Sequence, residues 1–319
     1  FSRAESVTGL VIGRALIGFG VSACLMAAFK AFVTWFRREQ LPLINGIQMA
    51  SGGFGALTAT APVEAALGVT DWRGIFFILS ILTLAVAATV FFVVPEKKIE
   101  QNGDSIKEQV QGIIQVFSSL TFWRIAPLTV MSQAAFMAIQ GLWSGPWLRD
   151  VAGFEREMIA RVLFMIAAAM VTGFILMGAV AERLSRLGIK PIVIAVAGMT
   201  AFMMTQILVI LEVTSWARTL WVLFGIFGTT GIISYAVLSQ SFPVHLAGRV
   251  NTGINLLVFI CAFAAQWGIG AIINLWPVTA AGGYAPAGYQ AGFAMMLGLE
   301  VVALLWFFVA NNRMARRKQ

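Results

Sequence analysis

Arg14, Lys30 and Glu300 each fall inside a long apolar run. An ionisable group in such a run is costly, and it faces either a partner or a water-filled cavity. Arg14 lies about two turns inside its run; it offers anion attraction or proton coupling, or else a structural ion pair with Glu64. Lys30, nearer the end of the same run, is either a site residue or a side chain that snorkels to the interface. For Glu300, in the middle of the last run, a buried structural partner is preferred to proton carriage. Amides form a second set. Gln133, Gln140 and Ser144 are spaced i, i+7 and i+11, which is one face of a helix. Trp143 lies near that face, and Gly145-Pro146 is expected to break the helix just beyond it. Asn251 and Asn255 stand one turn apart with Gln266 further along, and Thr230, Ser234 and Tyr235 cluster similarly, as do Gln48 and Ser51. Such residues can hydrogen-bond a small polar solute; the plainer alternative is hydrogen bonding between helices.

Catalytic chemistry has little to stand on. There is one histidine, His245, in a turn where capping or packing is preferred to a titrating sensor. Cys24 and Cys261 lie in apolar runs and read as packing residues, not a disulfide or a metal pair. Zinc-type spacings and the glycine-rich lysine loop that cradles phosphate are absent. No nucleophile–base pair appears. The expectation is therefore no enzyme, no cofactor and no metal.

The elements that must carry these residues follow from composition. Of 319 residues, 59% are hydrophobic and 11% charged, against about 45–50% and about 25% in soluble domains. So few charges cannot cover a water-exposed surface, so lipid is the expected solvent. About 20 apolar residues cross a bilayer as a helix. Nine runs qualify: 7–33, 43–66, 74–94, 125–147, 158–180, 190–211, 217–240, 251–275 and 289–310. They are too long, and lack the period-two alternation, for a barrel.

The connections alternate in charge. One side holds 13 basic residues, among them Arg37, Arg38, Lys97, Lys98, Arg183, Arg186 and Arg249, and the other holds six. The richer side is expected to be cytoplasmic, with the C-terminus inside. The net charge of +8 is thus a matter of membrane orientation, and no nucleic-acid partner is expected. In the longest polar connection Ser105-Ile106-Lys107-Glu108 has the form of a capping box. Ile106, Val110, Ile113, Phe117 and Leu120 then recur at helical spacing, which predicts an amphipathic helix on the membrane surface; the alternative is a disordered linker.

Gly18 to Gly46 can be laid on Gly225 to Gly253 at a constant offset of 207 residues. Between each glycine pair comes an aromatic-polar turn with a proline, Trp35 to Pro42 in the first copy and Phe242 to Arg249 in the second. Duplication accounts for this better than chance does. By the same offset, the three spans ahead of Gly225 call for three counterparts upstream of residue 1. The chain is thus expected to be a fragment, with about 85 residues or more preceding it in the natural protein.

Local motifs fit a known family. Gly13-Arg14-Ala15-Leu16-Ile17-Gly18-Phe19-Gly20 is similar to the fourth-helix motif of the major facilitator superfamily of secondary transporters, and Gly52-Gly53-Phe54-Gly55 with Ala61-Pro62 is similar to its fifth-helix motif. The stretch Gly178 to Gly188, containing Glu182-Arg183 and Arg186, resembles the cytoplasmic loop between the second and third helices of a half; Glu182 stands where the family often has Asp. Asp71-Trp72-Arg73 before an aromatic span is also common there.

The resemblance implies an all-α integral membrane fold of two six-helix bundles, with nine transmembrane helices present. Residues 1–95 would be the last three helices of the first bundle, 96–121 a cytoplasmic linker, 122–312 the second bundle and 313–319 a basic tail. It implies a monomeric secondary active transporter of the cell inner membrane, working by alternating access and coupled to protons. Arg14 and Lys30 favour an anionic solute. The expected binding or coupling residues are Arg14, Lys30, Gln48, Gln133, Gln140, Trp143, Tyr235 and Asn255, and the expected gating residues are Gly55, Pro62, Glu182, Arg183 and Arg186. Rival expectations are proton-driven efflux of lipophilic compounds and a non-transporting sensor of the same fold.

Overall fold

The computed structural model describes residues 1–22, 24–35, 41–94, 106–280 and 282–316, and among them no strand occurs. Two compact units divide the chain, Phe1–Asn102 and Gly103–Gln319.

The first unit is built from α1 (Val7–Val21), α2 (Cys24–Trp35), α3 (Leu41–Thr58), α4 (Ala61–Ala66) and α5 (Trp72–Val93). Ser6 caps α1 by accepting from the Gly9 N–H, and Asp71 caps α5 by accepting from the Gly74 N–H at 2.8 Å; each relieves an orphaned donor of the first turn. The Phe1 ring packs on Trp72 and Phe76 of α5, and the Phe1 backbone closes over Gly13. The expected spans 7–33 and 43–66 are not single helices among the described residues. The second is divided at Thr60, whose φ and ψ are −105° and −117°. Pro62 is the reason: it has no N–H for the Thr58 carbonyl, and its ring excludes that carbonyl from a continuous helix. It is well placed in the first turn of α4 instead. The α5 helix, with 22 residues and no buried side chain, carries apolar residues on every face.

The second unit opens with a short amphipathic helix, α6 (Ile106–Phe117), while Ser105 of the expected capping box lies outside the described residues. Its Gly112 face meets the Arg249 side chain, and Phe117 packs against Gly253. Val110, Ile113 and Ile114 stay exposed. Six long segments follow. They are α7 (Leu120–Ala138) running through a π turn (Ile139–Trp143) into α8 (Ser144–Asp150), then α9 (Arg156–Arg186), α10 (Pro191–Ile210), α11 (Ala217–Gly228) with α12 (Gly231–Gln240), α13 (Val244–Ile273) and α14 (Pro286–Arg316). With α5 they make, among the described residues, seven helical segments long and apolar enough to cross a bilayer.

Two prolines shape the first of these segments. Pro127 leaves the Trp123 carbonyl without its intrahelical donor. The Trp306 indole of α14 donates to that carbonyl at 2.7 Å, so the helix continues and is tied to its neighbour. Pro146 does not end the helix, contrary to the expectation from Gly145-Pro146. A π turn precedes it and takes up the extra residue, so the segment stays helical to Asp150.

Two buried apolar clusters succeed one another along this unit. One gathers Phe122, Ile125, Leu128, Met199, Leu238 and Ile254. The other gathers Phe136, Trp147, Phe202, Trp221, Phe224 and Phe293. On α7 the change falls between Val130 and Ala135, and on α11–α12 between Phe224 and Ile233. Buried Thr129, Ser132, Thr229 and Thr230 lie at or beside that junction.

Candidate functional site

The junction is organised by a helix that stops and restarts. The bond expected between the Gly228 carbonyl and the Ile232 N–H is absent, because that N–H turns to the Thr229 carbonyl at 3.1 Å. The Thr229 and Thr230 hydroxyls bond back to the Ile226 and Phe227 carbonyls, each at 2.7 Å. Gly228 O is thereby left without a backbone partner near the centre of the span Thr214–Gln240. In lipid such an orphan is costly. The Gln133 side-chain amide, near the centre of its own span, donates to it at 2.8 Å.

Glycines make this approach feasible. A methyl group at Gly228 would overlap the Phe136 ring, and one at Gly231 would overlap the Gln133 amide. Gly173 of α9 lies 2.8 Å from the Thr229 hydroxyl by the same measure, and Gly198 of α10 receives the Thr230 side chain. Three neighbouring helices therefore close on the break through residues without side chains. Thr129, Ser132, Thr229, Thr230 and Ser234 are all buried here, and the Ser132 and Ser234 hydroxyls have no partner.

The π turn separates what sequence spacing had joined. One extra residue rotates the helix by about 100°, so Gln133 and the residues beyond the turn do not share the face predicted for a regular helix. Gln133 serves the broken helix. The Ser144 hydroxyl is buried and bonds to the Gln140 carbonyl at 2.7 Å, and Gln140 itself is half-buried. Trp143 is buried; its indole donates to the Gln266 carbonyl of α13 at 3.2 Å and its ring rests on Gly270. The Gln266 amide in turn faces Gly141. Tyr235 on α12 and Asn255 on α13 are half-buried beside the first apolar cluster and on the neighbouring helix. The Asn251 Oδ1, one turn away, is buried and unpaired.

At the C-terminal end of α8 lies a cluster that spacing alone did not reveal. The Asp150 side chain is only 4% exposed. It accepts from Tyr289 Oη at 2.7 Å, from the Tyr284 N–H at 3.0 Å and from Arg149 Nε at 2.6 Å. The rings of Tyr284 and Tyr289 pack on each other and on Trp143, with centroids 6.1 to 6.3 Å apart. Gly283 presses on the carboxylate, and Gly282 adopts φ +77°, which favours glycine. The α13–α14 connection is thus pinned to the end of α8. Glu300 also has its partner: Gln206 of α10 donates to it within the buried core, the structural role preferred on sequence grounds.

In the first unit the Arg14 guanidinium lies 4.9 Å from the Phe1 ring and 5.6 Å from the Phe76 ring, a cation–π arrangement. The Gln48 carbonyl accepts from Ser51, and Gly55 is exposed with open space around it. The side chain of Lys30, and the turn residues 36–40 of the first repeat, lie outside the described residues. Glu182 pairs with Arg186 of its own helix at 2.6 Å, both exposed, and Arg183 is exposed beside them. An exposed i,i+4 pair is worth about 0.3–0.5 kcal/mol, too little to hold a conformational state alone. His245 is exposed, and its carbonyl accepts from Arg249.

Comparison with known proteins places these features in a family. The model of the Major Facilitator Superfamily matches residues 1–266. The chain is 25% identical over 173 residues to the "Putative transporter AraJ" of Escherichia coli K12, covering 53% of this chain and 40% of that protein. It is 25% identical over 179 residues to the "Multidrug resistance protein MdtL" of an Escherichia coli O17:K52:H18 strain, covering 54% and 43%. It therefore spans about two fifths of the length of the curated relatives it matches. The crystal structure of a bacterial homolog of the human lysosomal transporter Spinster, inward-facing and occupied, is similar in fold, with a TM-score of 0.68 at 16% identity over 98% of this chain and 78% of that one. The chain belongs to the major facilitator superfamily.

Proposed function

We infer that the whole protein is a secondary active transporter of a small polar, anionic solute, coupled to protons and working by alternating access. The observation that carries this reading is the broken helix at Gly228–Gly231, held in mid-membrane by the Gln133 amide. Irregular backbone at membrane depth is tolerated where it is buried in protein or lines a water-filled cavity, and transporters build substrate sites from discontinuous helices near the midplane. Gln140, Trp143, Tyr235 and Asn255 would supply further hydrogen-bonding groups from the second unit. Arg14 and Lys30 would supply the positive charge that favours an anion. Gly55 and Pro62 would supply the softened helix, and Glu182, Arg183 and Arg186 the cytoplasmic gate. In this reading nine helices belong to two six-helix bundles in the inner membrane, with a cytoplasmic C-terminus.

The relative named as a multidrug resistance protein supports a second reading, proton-driven efflux of lipophilic compounds. The two differ in an assay of the full-length protein in proteoliposomes under an imposed proton gradient. Uptake of organic anions that falls in Arg14→Ala and Gln140→Ala supports the first. Wild-type uptake in both variants for every anion taken up removes these residues from the site. Gradient-driven extrusion of lipophilic cations, without anion uptake, selects the second.

A further inference from the structure

Away from the broken helix, the end of the second unit where α7 and α10 begin and α14 finishes holds a cavity of about 530 Å³. Two cations line it: Arg124, half-buried in the first turns of α7, and Lys190, the exposed residue preceding α10. Among the described lining residues none is acidic. Six of the nine are apolar: Ile192, Val193, Val196, Ala197, Phe307 and Phe308. Val193 and Phe308 are more than half exposed, so the apolar wall continues onto the outer surface of the unit. Asn311 adds an amide at the rim.

Depth and charge agree. Trp123 and Trp306, joined by the indole-to-carbonyl bond at Pro127, are exposed beside this cavity in sequence and in the bundle. Exposed tryptophans of a membrane protein gather at headgroup level. The α10 helix starts here with no side chain capping its N-terminus, and its dipole adds positive potential. Arg313, Arg316, Arg317 and Lys318 follow Asn311 closely in sequence. A soluble anion would find no use for the apolar wall, whereas a lipid has both an anionic head and hydrocarbon to place on it.

We propose that this cavity binds the phosphate headgroup of an acidic phospholipid, with Arg124 and Lys190 on the phosphate and the Val193–Phe308 wall against an acyl chain. Basic pockets between membrane helices on the cytoplasmic side suit such headgroups.

The test titrates the full-length protein in neutral detergent with phosphatidylglycerol, phosphatidylcholine or inorganic phosphate, reading bound lipid by native mass spectrometry and melting temperature in parallel. Phosphatidylglycerol is expected to bind and to raise the melting temperature, and the other two not. Each cation near an acidic lipid is worth about a fivefold change in affinity, so the Arg124→Gln/Lys190→Gln double variant should bind roughly 25-fold more weakly. Lys190→Gln alone, at an exposed position, should lose about fivefold. Val193→Trp, which fills the wall without touching charge, should also weaken binding. Equal binding of phosphatidylcholine, equal protection by inorganic phosphate, or unchanged phosphatidylglycerol affinity in Lys190→Gln and Val193→Trp overturns the assignment.

Discussion

Gln133 satisfies a carbonyl that the broken helix leaves unpaired inside its span, and Asp150 accepts from groups of the α13–α14 connection at the end of α8. Removing Gln133 as Gln133→Leu leaves Gly228 O unpaired. Hydrogen bonds between membrane helices average about 0.6 kcal/mol and reach about 1.7, and an unsatisfied buried acceptor costs about 1–3 kcal/mol. A loss of about 1–2 kcal/mol is expected in reversible unfolding from detergent, with uptake reduced further because the break shifts. Asp150→Ala removes three acceptor contacts at once, from Tyr289, Tyr284 and Arg149. The α13–α14 connection should then open, read as faster proteolysis between Asn274 and Tyr284, while Asp150→Asn, which keeps an acceptor for Tyr289, should change it less. Glu300→Leu strands the Gln206 amide in the core and should cost about 1–3 kcal/mol, whereas Glu300→Gln preserves a partner and should cost less in the same unfolding measurement.

Among the elements, the glycines divide by what a methyl group would meet. Gly228 is closed off by Phe136, and Gly173 by the Ile226 backbone at 3.0 Å. Gly178 has nothing within 4 Å. Overpacking a fitted contact costs about 1–3 kcal/mol, and a surface change away from special features stays within about 0.5 kcal/mol. Gly228→Ala is therefore expected to lower the melting temperature and Gly178→Ala to leave it nearly unchanged; equal effects would show that the close approach at the break does not matter. Seven spans were legible because long apolar runs have few other fates in a chain so poor in charge. The divided runs and the π turn were not. Pro62 and Pro146 mark where a backbone bond must be missing, but the residue type alone does not say whether the chain breaks, as at Thr60, or widens, as in the π turn before Pro146.

For the molecule as a whole, the distribution of basic residues orients the proposed topology. A C-terminal fluorescent-protein fusion, which matures only in the cytoplasm, should fluoresce, and an alkaline phosphatase fusion at the same point should be inactive. The reverse result would invert the membrane orientation and, with it, the side on which the Arg124–Lys190 cavity lies. Family membership came within reach of the sequence because its motifs are local: glycines, an arginine and a short charged loop at fixed spacing. The face Gln133–Gln140–Ser144 was a fair reading of a regular helix, yet the π turn lies between its members and assigns Gln133 to the broken helix. Asp150 carried no local sign at all, since Tyr284 and Tyr289 stand more than a hundred residues away. Composition and apolar run length determined the solvent and the long helical segments, because those depend on free energies summed along a contiguous segment, and local motifs pointed to the family. The partners of Gln133, Asp150 and Glu300 were decided only by tertiary structure, because a hydrogen bond between helices depends on which groups packing brings within about 3 Å.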